Sequence, residues 1–179
     1  AVTLDPGYAA AYALLADVQG LLMDLHHAPG RELLAQAEEY ATKAVELDPA
    51  LPDAQLSLAA VRQMQSRWTD AAAAYERAIA LHPAFARAHR WYAGMQLQFR
   101  KYDETLEGFR KSLELDPYDI PSQSALGLAL FYAGRPLEAA AHLQQLVARR
   151  DHLHAHFLLG QVYAQLASLP GENREDYRE

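Results

Sequence analysis

At 179 residues, 51% of them hydrophobic, the chain can bury a continuous core, and its formal net charge is −7. With only three lysines it lacks the clustered cations a phosphate backbone requires, which argues against a nucleic-acid partner for this segment. The absence of cysteine excludes disulfides, thiolate metal ligands and cysteine nucleophiles and leaves the redox compartment open. No apolar run reaches membrane-spanning length and no basic-then-apolar leader opens the sequence, so no membrane partner is expected of this segment. The compartment is unknown, with the cytoplasm favoured.

Residues 1–8 read as the end of a preceding repeat, with Ala1 to Pro6 as the last turn of its second helix, closed by Leu4-Asp5-Pro6. The triplet returns as Leu47-Asp48-Pro49 and Leu115-Asp116-Pro117, and Pro49, Pro83 and Pro117 are 34 residues apart. A fixed period of that size marks one supersecondary unit repeated along the chain. Between these stops the pattern predicts helix pairs over 9–23 and 32–47, 52–65 and 68–81, 86–99 and 102–115, and 119–133 and 136–149. A ninth helix follows over 153–167. No strand-like alternating run occurs. Asp53 and Asp119 stand at helix starts, where a carboxylate can accept orphan N–H groups. Gly134 and Pro136 read as a helix stop and a helix start.

Each first helix carries a bulky-then-small pair: Leu15-Ala16, Leu58-Ala59, Tyr92-Ala93, Leu126-Gly127 and Leu159-Gly160. Each second helix carries a series spaced by four and three, which lies on one helical face: Ala71, Tyr75, Ala78; Thr105, Phe109, Ser112; Ala139, Leu143, Leu146. Small residues let the two helices approach closely while the large one fills the gap. The first unit departs from this. Leu15 to Leu58 spans 43 residues rather than 34, with the nine-residue excess around Leu21 to Leu34, and its series reads Ala37, Ala41, Ala44 without the large member.

These positions resemble the tetratricopeptide repeat, whose pattern is a Leu-Gly-type pair, an Ala, an aromatic, an Ala and a terminal Pro. The resemblance implies an all-α, right-handed superhelical solenoid of four full helix pairs plus a ninth helix. The repeats are read as 9–49, 50–83, 84–117 and 118–151, with a partial fifth repeat and tail over 152–179. Asp151 replaces the turn proline of the fourth. Both ends read as mid-array, so a catalytic or DNA-binding domain of a larger protein is expected outside these residues.

The resemblance further implies a concave groove lined by the first helices that takes a protein or peptide. Helical spacing places Gln63, Met64, Arg87, Arg90, Leu97, Gln98, Leu128, Phe131, Tyr132, Phe157 and Gln161 there, with Asp53 and Ser124 beside them. Arg87 and Arg90 are three apart and could hold an acidic group. Reversing both to Glu is expected to leave folding intact and to weaken an acidic ligand. The alternative function is self-association through open repeat ends, giving a homo-oligomer. With His89-Arg90-Trp91-Tyr92 and the first-repeat extension, the chain is also similar to arrays of bacterial winged-helix transcription regulators, nucleotide cyclases and Ser/Thr kinases, which implies a regulatory or signalling scaffold. Chaperone-binding and glycosyltransferase arrays use groove asparagines, and the only asparagine here is Asn173.

His152 and His156 have an i, i+4 spacing that can chelate zinc, but His156 falls at a bulky packing position and no third ligand accompanies the pair. His26-His27 reads as a loop pair before Pro29-Gly30. Ser57, Ser112 and Ser124 sit at small-residue or helix-face positions without a strained turn or a triad-like histidine. No metal, cofactor or catalysis is implied.

Overall fold

The computed structural model describes residues 2–26, 30–149 and 153–168, and among them are nine α-helices and no strand. In chain order they are α1 Ala9–His26, α2 Arg31–Leu47, α3 Pro52–Met64, α4 Trp68–Leu81, α5 Ala86–Gln98, α6 Tyr102–Leu115, α7 Ile120–Tyr132, α8 Pro136–Arg149 and α9 Leu153–Ser168. The first-repeat extension mostly lengthens α1, which runs to His26 rather than stopping near 23. His26 is therefore helical rather than part of a loop, and His27 lies outside the described residues.

The connections explain the recurring punctuation. Ahead of the first helices α1, α3 and α7, the aspartate of the Leu-Asp-Pro triplet accepts the N–H two residues on: Gly7 to Asp5 at 2.9 Å, Ala50 to Asp48 at 3.0 Å, Tyr118 to Asp116 at 3.2 Å. Proline supplies a fixed φ and no donor, so the preceding helix cannot continue. Six residues beyond three of these prolines, a side-chain nitrogen meets the proline carbonyl: Gln55 on Pro49, His89 on Pro83, Gln123 on Pro117. The opposite connection, from first to second helix, turns on one left-handed residue after α3, α5 and α7: Ser66 (φ 59°), Arg100 (φ 57°) and Gly134 (φ 73°). In each, the N–H of that residue bonds the carbonyl three back, and the next N–H bonds the carbonyl five back. This is the Schellman closure.

Asp119 caps α7 as expected, accepting the Ser122 N–H at 3.1 Å. Asp53 does not cap α3. Leu51 holds that position with Pro52 after it, and the Asp53 carboxylate is drawn to Arg87 instead.

The chain divides into two compact units, Ala1–Tyr92 and Ala93–Glu179. In the first, Ala37, Ala41 and Ala44 of α2 are fully buried. Ala37 and Ala41 pack with Ala16 and Val61, and Ala44 with Ala13 and Ala54; Tyr40 and Tyr12 fill in beside them. With Ala where other repeats put a large residue, the volume is recovered by a neighbouring ring. In α4, Ala71, Tyr75 and Ala78 are buried, and the Tyr75 hydroxyl donates to Gln63 Oε1 at 2.7 Å. The second unit is built on Leu106, Phe109, Leu126, Leu130, Leu143, Leu158 and Val162. There Gly127 lies against Leu143, and the buried Ser112 and Ser122 hydroxyls bond each other at 2.9 Å.

Candidate functional site

Four of the expected groove residues belong to the first unit. Gln63 is engaged by the Tyr75 hydroxyl, and Met64 is exposed at the end of α3 with its methyl group beside Gly20. Arg87 and Arg90 share one face of α5 and are both half-buried. Arg87 is the centre of a network that reading its own helix face did not reveal. Its Nη2 donates to Asp53 Oδ1 at 2.7 Å and its Nη1 to Asp17 Oδ2 at 3.2 Å. Ser57 Oγ lies 2.6 Å from Asp17 Oδ1 and 3.1 Å from the Ala13 carbonyl, so its one proton is shared between them. The guanidinium carbon sits 5.4 Å from the ring centroids of both Phe85 and Trp91, within cation–π range.

Two consequences correct the sequence reading. Arg87 already holds two carboxylates, so an acidic ligand would compete with Asp17 and Asp53. Arg87→Glu would also set a third carboxylate against those two, and is not neutral for folding. Burial, ahead of every other cause, raises the Asp17 carboxyl above its ordinary 3.8; the Ser57 bond and the Arg87 charge pull the other way.

The remaining expected residues belong to the second unit. Leu97, Leu128 and Phe131 are half-buried and pack on its core. Tyr132 stands 54% exposed, with its ring edge-on to Phe131 at 5.5 Å. On α9, Phe157 is 61% exposed and Gln161 is exposed, as is Gln98 on α5. A cleft of about 400 Å³ opens between Ile120, Pro121, Ser124, Ala125 and Leu128 of α7 and His154 of α9. Its walls are chiefly apolar. Ser124 is 5% exposed, and its Oγ makes no hydrogen bond among the described residues. A buried hydroxyl without a partner is uncommon in folded proteins.

His154 and His156 are both exposed, so His156 is not the packing residue its register suggested; His152 lies outside the described residues. Among the described residues, no three His, Cys, Asp or Glu side chains are grouped to hold a metal, and no helix is long and apolar enough to cross a membrane. Ser57 and Ser112 spend their hydroxyls on Asp17 and Ser122, with no imidazole on either.

Solved structures share this architecture. That of Pseudomonas aeruginosa pilF is 23% identical with a TM-score of 0.74, over 88% of this chain and 68% of that one. MamA is 24% identical with a TM-score of 0.61, over 82% and 75%. YrrB, described as a TPR protein with an unusual peptide-binding site, is 17% identical with a TM-score of 0.66, over 94% and 83%. At these identities the likeness is one of fold. No curated protein matches the chain. The Tetratricopeptide repeat family model matches residues 61–120 and 124–179, well over half the sequence. On that match, and on the helix pairs and turns that repeat in its register, the chain belongs to the tetratricopeptide repeat family, whose members are generally non-catalytic scaffolds that bind proteins or peptides.

Proposed function

We propose that this chain is the protein-recognition segment of a larger bacterial regulatory or signalling protein, and that it takes a partner peptide on the face formed by its first helices. The observation that carries this reading is the apolar cleft between α7 and α9, rimmed by His154 and lined by a serine hydroxyl with no hydrogen bond among the described residues. An apolar side chain of a peptide fits those walls, and a backbone amide beside it would give Ser124 a partner once the hydroxyl rotates outward. Tyr132 and Phe157 add exposed aromatic surface in the same unit, the residue type that dominates recognition energetics. Arg87 and Arg90 would contribute in the first unit, where an acidic group must compete with Asp17 and Asp53. The repeat boundaries given above, the cytoplasmic setting and the absence of a nucleic-acid partner belong to the same proposal.

The test is recovery of partners from source-cell lysate with the wild type, with Phe157→Glu and with Leu128→Glu, each variant confirmed as folded by circular dichroism. Loss of one defined partner with both variants supports the cleft. Retention of that partner by both moves recognition to another surface.

A second reading, self-association, draws on Leu14, Val18 and Leu21, which are exposed along one face of α1. Light scattering over a range of concentrations tests it. A mass that rises in the wild type but not in Val18→Glu favours self-association, and a constant monomer mass rejects it.

A further inference from the structure

We propose that Asp17 and Arg87 form a proton-released clasp across α1, α3 and α5, which occupies the Arg87 guanidinium while Asp17 is ionised and frees it when Asp17 takes up a proton. The geometry is that of a latch rather than a surface ion pair. Asp17 is only 15% exposed at its side chain and uses both carboxylate oxygens, one on Ser57 of α3 and the other on Arg87 of α5. Its partners lie 40 and 70 residues away in sequence, so one carboxylate ties together the first helices of three successive pairs. The Phe85 and Trp91 rings also lie within cation–π range of the Arg87 guanidinium.

The charged and titratable groups that act on Asp17 come from three helices. Asp53 on α3 opposes its ionisation and Arg87 on α5 favours it. Tyr75 on α4 feels the Asp17 charge, which adds to burial in keeping that phenol protonated. Protonation leaves the Ser57 contact available, because a carboxylic acid still accepts through one oxygen, but it removes the charge that attracts the guanidinium. Among the described residues, the one ion pair then left to Arg87 is with Asp53, whose side chain is 47% exposed, and an ion pair of that kind is weak in water. Acidification thus converts a neutralised face into one with an available guanidinium. This deepens the groove reading, since it sets when Arg87 can meet an anionic group.

The full chain carrying Trp68→Phe keeps Trp91 as its one tryptophan and optical reporter. The Asp17 carboxyl carbon is followed by NMR against pH, with its signal assigned by its loss in Asp17→Asn. The expected midpoint lies above 3.8, moves up in Arg87→Gln and moves down in Asp53→Asn, while Trp91 fluorescence changes at the wild-type midpoint with far-UV dichroism constant. A midpoint at or below 3.8, no upward move in Arg87→Gln, or unchanged Trp91 fluorescence overturns the clasp. Sulfate is then compared with chloride at equal ionic strength. It should perturb Trp91 below the midpoint and not above it; an equal perturbation on both sides overturns the masking of Arg87. With the carboxyl shifts as expected, sulfate without effect on either side removes Arg87 from the groove reading and leaves the clasp supported.

Discussion

Gly127 and Gly160 occupy the same place in successive repeats, each following the bulky residue of its pair, yet replacing them with alanine should have opposite effects. A Cβ at Gly127 would lie 2.5 Å from Leu143 Cδ2, 2.7 Å from Cγ and 3.2 Å from Cδ1. Carbon atoms rest about 3.5–4.0 Å apart, so Leu143 must retreat by about 1 Å. It has nowhere to go, being fully buried in the core of the second unit. Overpacking of this kind costs about 1–3 kcal/mol, against about 1 kcal/mol gained when a mid-helix glycine becomes alanine. The net loss is about 1 kcal/mol, or about 2–4 °C in Tm for a chain of this size. At Gly160 the added carbon meets nothing within 4 Å, because no second helix lies against it among the described residues. Only the helix gain remains, about 0.5–1 kcal/mol. Urea unfolding of both variants, with the m-value checked for constancy, separates the two. A Gly127→Ala variant more stable than wild type, or two shifts of the same sign, would refute the register of the helix pair.

Ser66 and Arg100 carry side chains at the left-handed position that Gly134 fills without strain, so Ser66→Gly and Arg100→Gly should each stabilise the fold by up to about 1 kcal/mol. A lower urea midpoint in either would contradict the Schellman closure there. Asp119→Ala removes the α7 cap and one partner of the Ser122 hydroxyl, and should cost about 0.5–2 kcal/mol, read as a lower Tm. His142 is held below its ordinary 6.5, chiefly by burial, with its Nε2 2.8 Å from the Gln123 carbonyl. The folded state therefore binds this proton less readily than the unfolded chain. The stability tied to neutral His142 is complete above pH 6.5 and is lost as the pH falls below it. Urea midpoints measured from pH 8 to 5 should decline more in wild type than in His142→Gln, and equal slopes would remove His142 as the cause.

Most of the helices were legible in the sequence because their limits are set by local chemistry. An Asp-Pro pair that stops a helix, a Gly134 in the left-handed region and a Pro136 in a first turn act within a few residues and leave their mark in the sequence. The end of α1 was misplaced for the same reason. No Gly or Pro between Leu21 and His26 interrupts helical continuation, so α1 runs on to His26. Asp53 was misread because a carboxylate near a helix start has two uses, capping and pairing, and only the neighbouring helix decides between them. Its competitor was visible: Arg87 stands one period of 34 beyond it, so the two are opposite charges in register on adjacent first helices. Asp17 could not be placed that way, because the nine extra residues shift its register and its partners come from α3 and α5, not from its own surroundings in the chain.

The positions that recur and those that vary divide the labour between fold and recognition. Prolines at 49, 83 and 117, the side chains at 55, 89 and 123 that reach their carbonyls, and the left-handed residues at 66, 100 and 134 are all consumed by the backbone's own hydrogen bonds. None is free to adapt to a partner without cost to a turn. The register position that runs Asp17, Ala60, Gly94, Leu128 and Gln161 has no such duty, and its residues differ in size at every step, Asp17 alone being charged. At Asp17 it is buried charge, and at Leu128 it is the apolar wall of a cleft. At Gly94 an added Cβ meets nothing, which leaves bare backbone on a first helix at a cost that packing does not explain. Gly94→Ala should therefore raise stability by about 0.5–1 kcal/mol, and a partner that approaches that backbone should bind the variant less well. A variant that gains stability and keeps full affinity for a captured partner would place recognition away from this position.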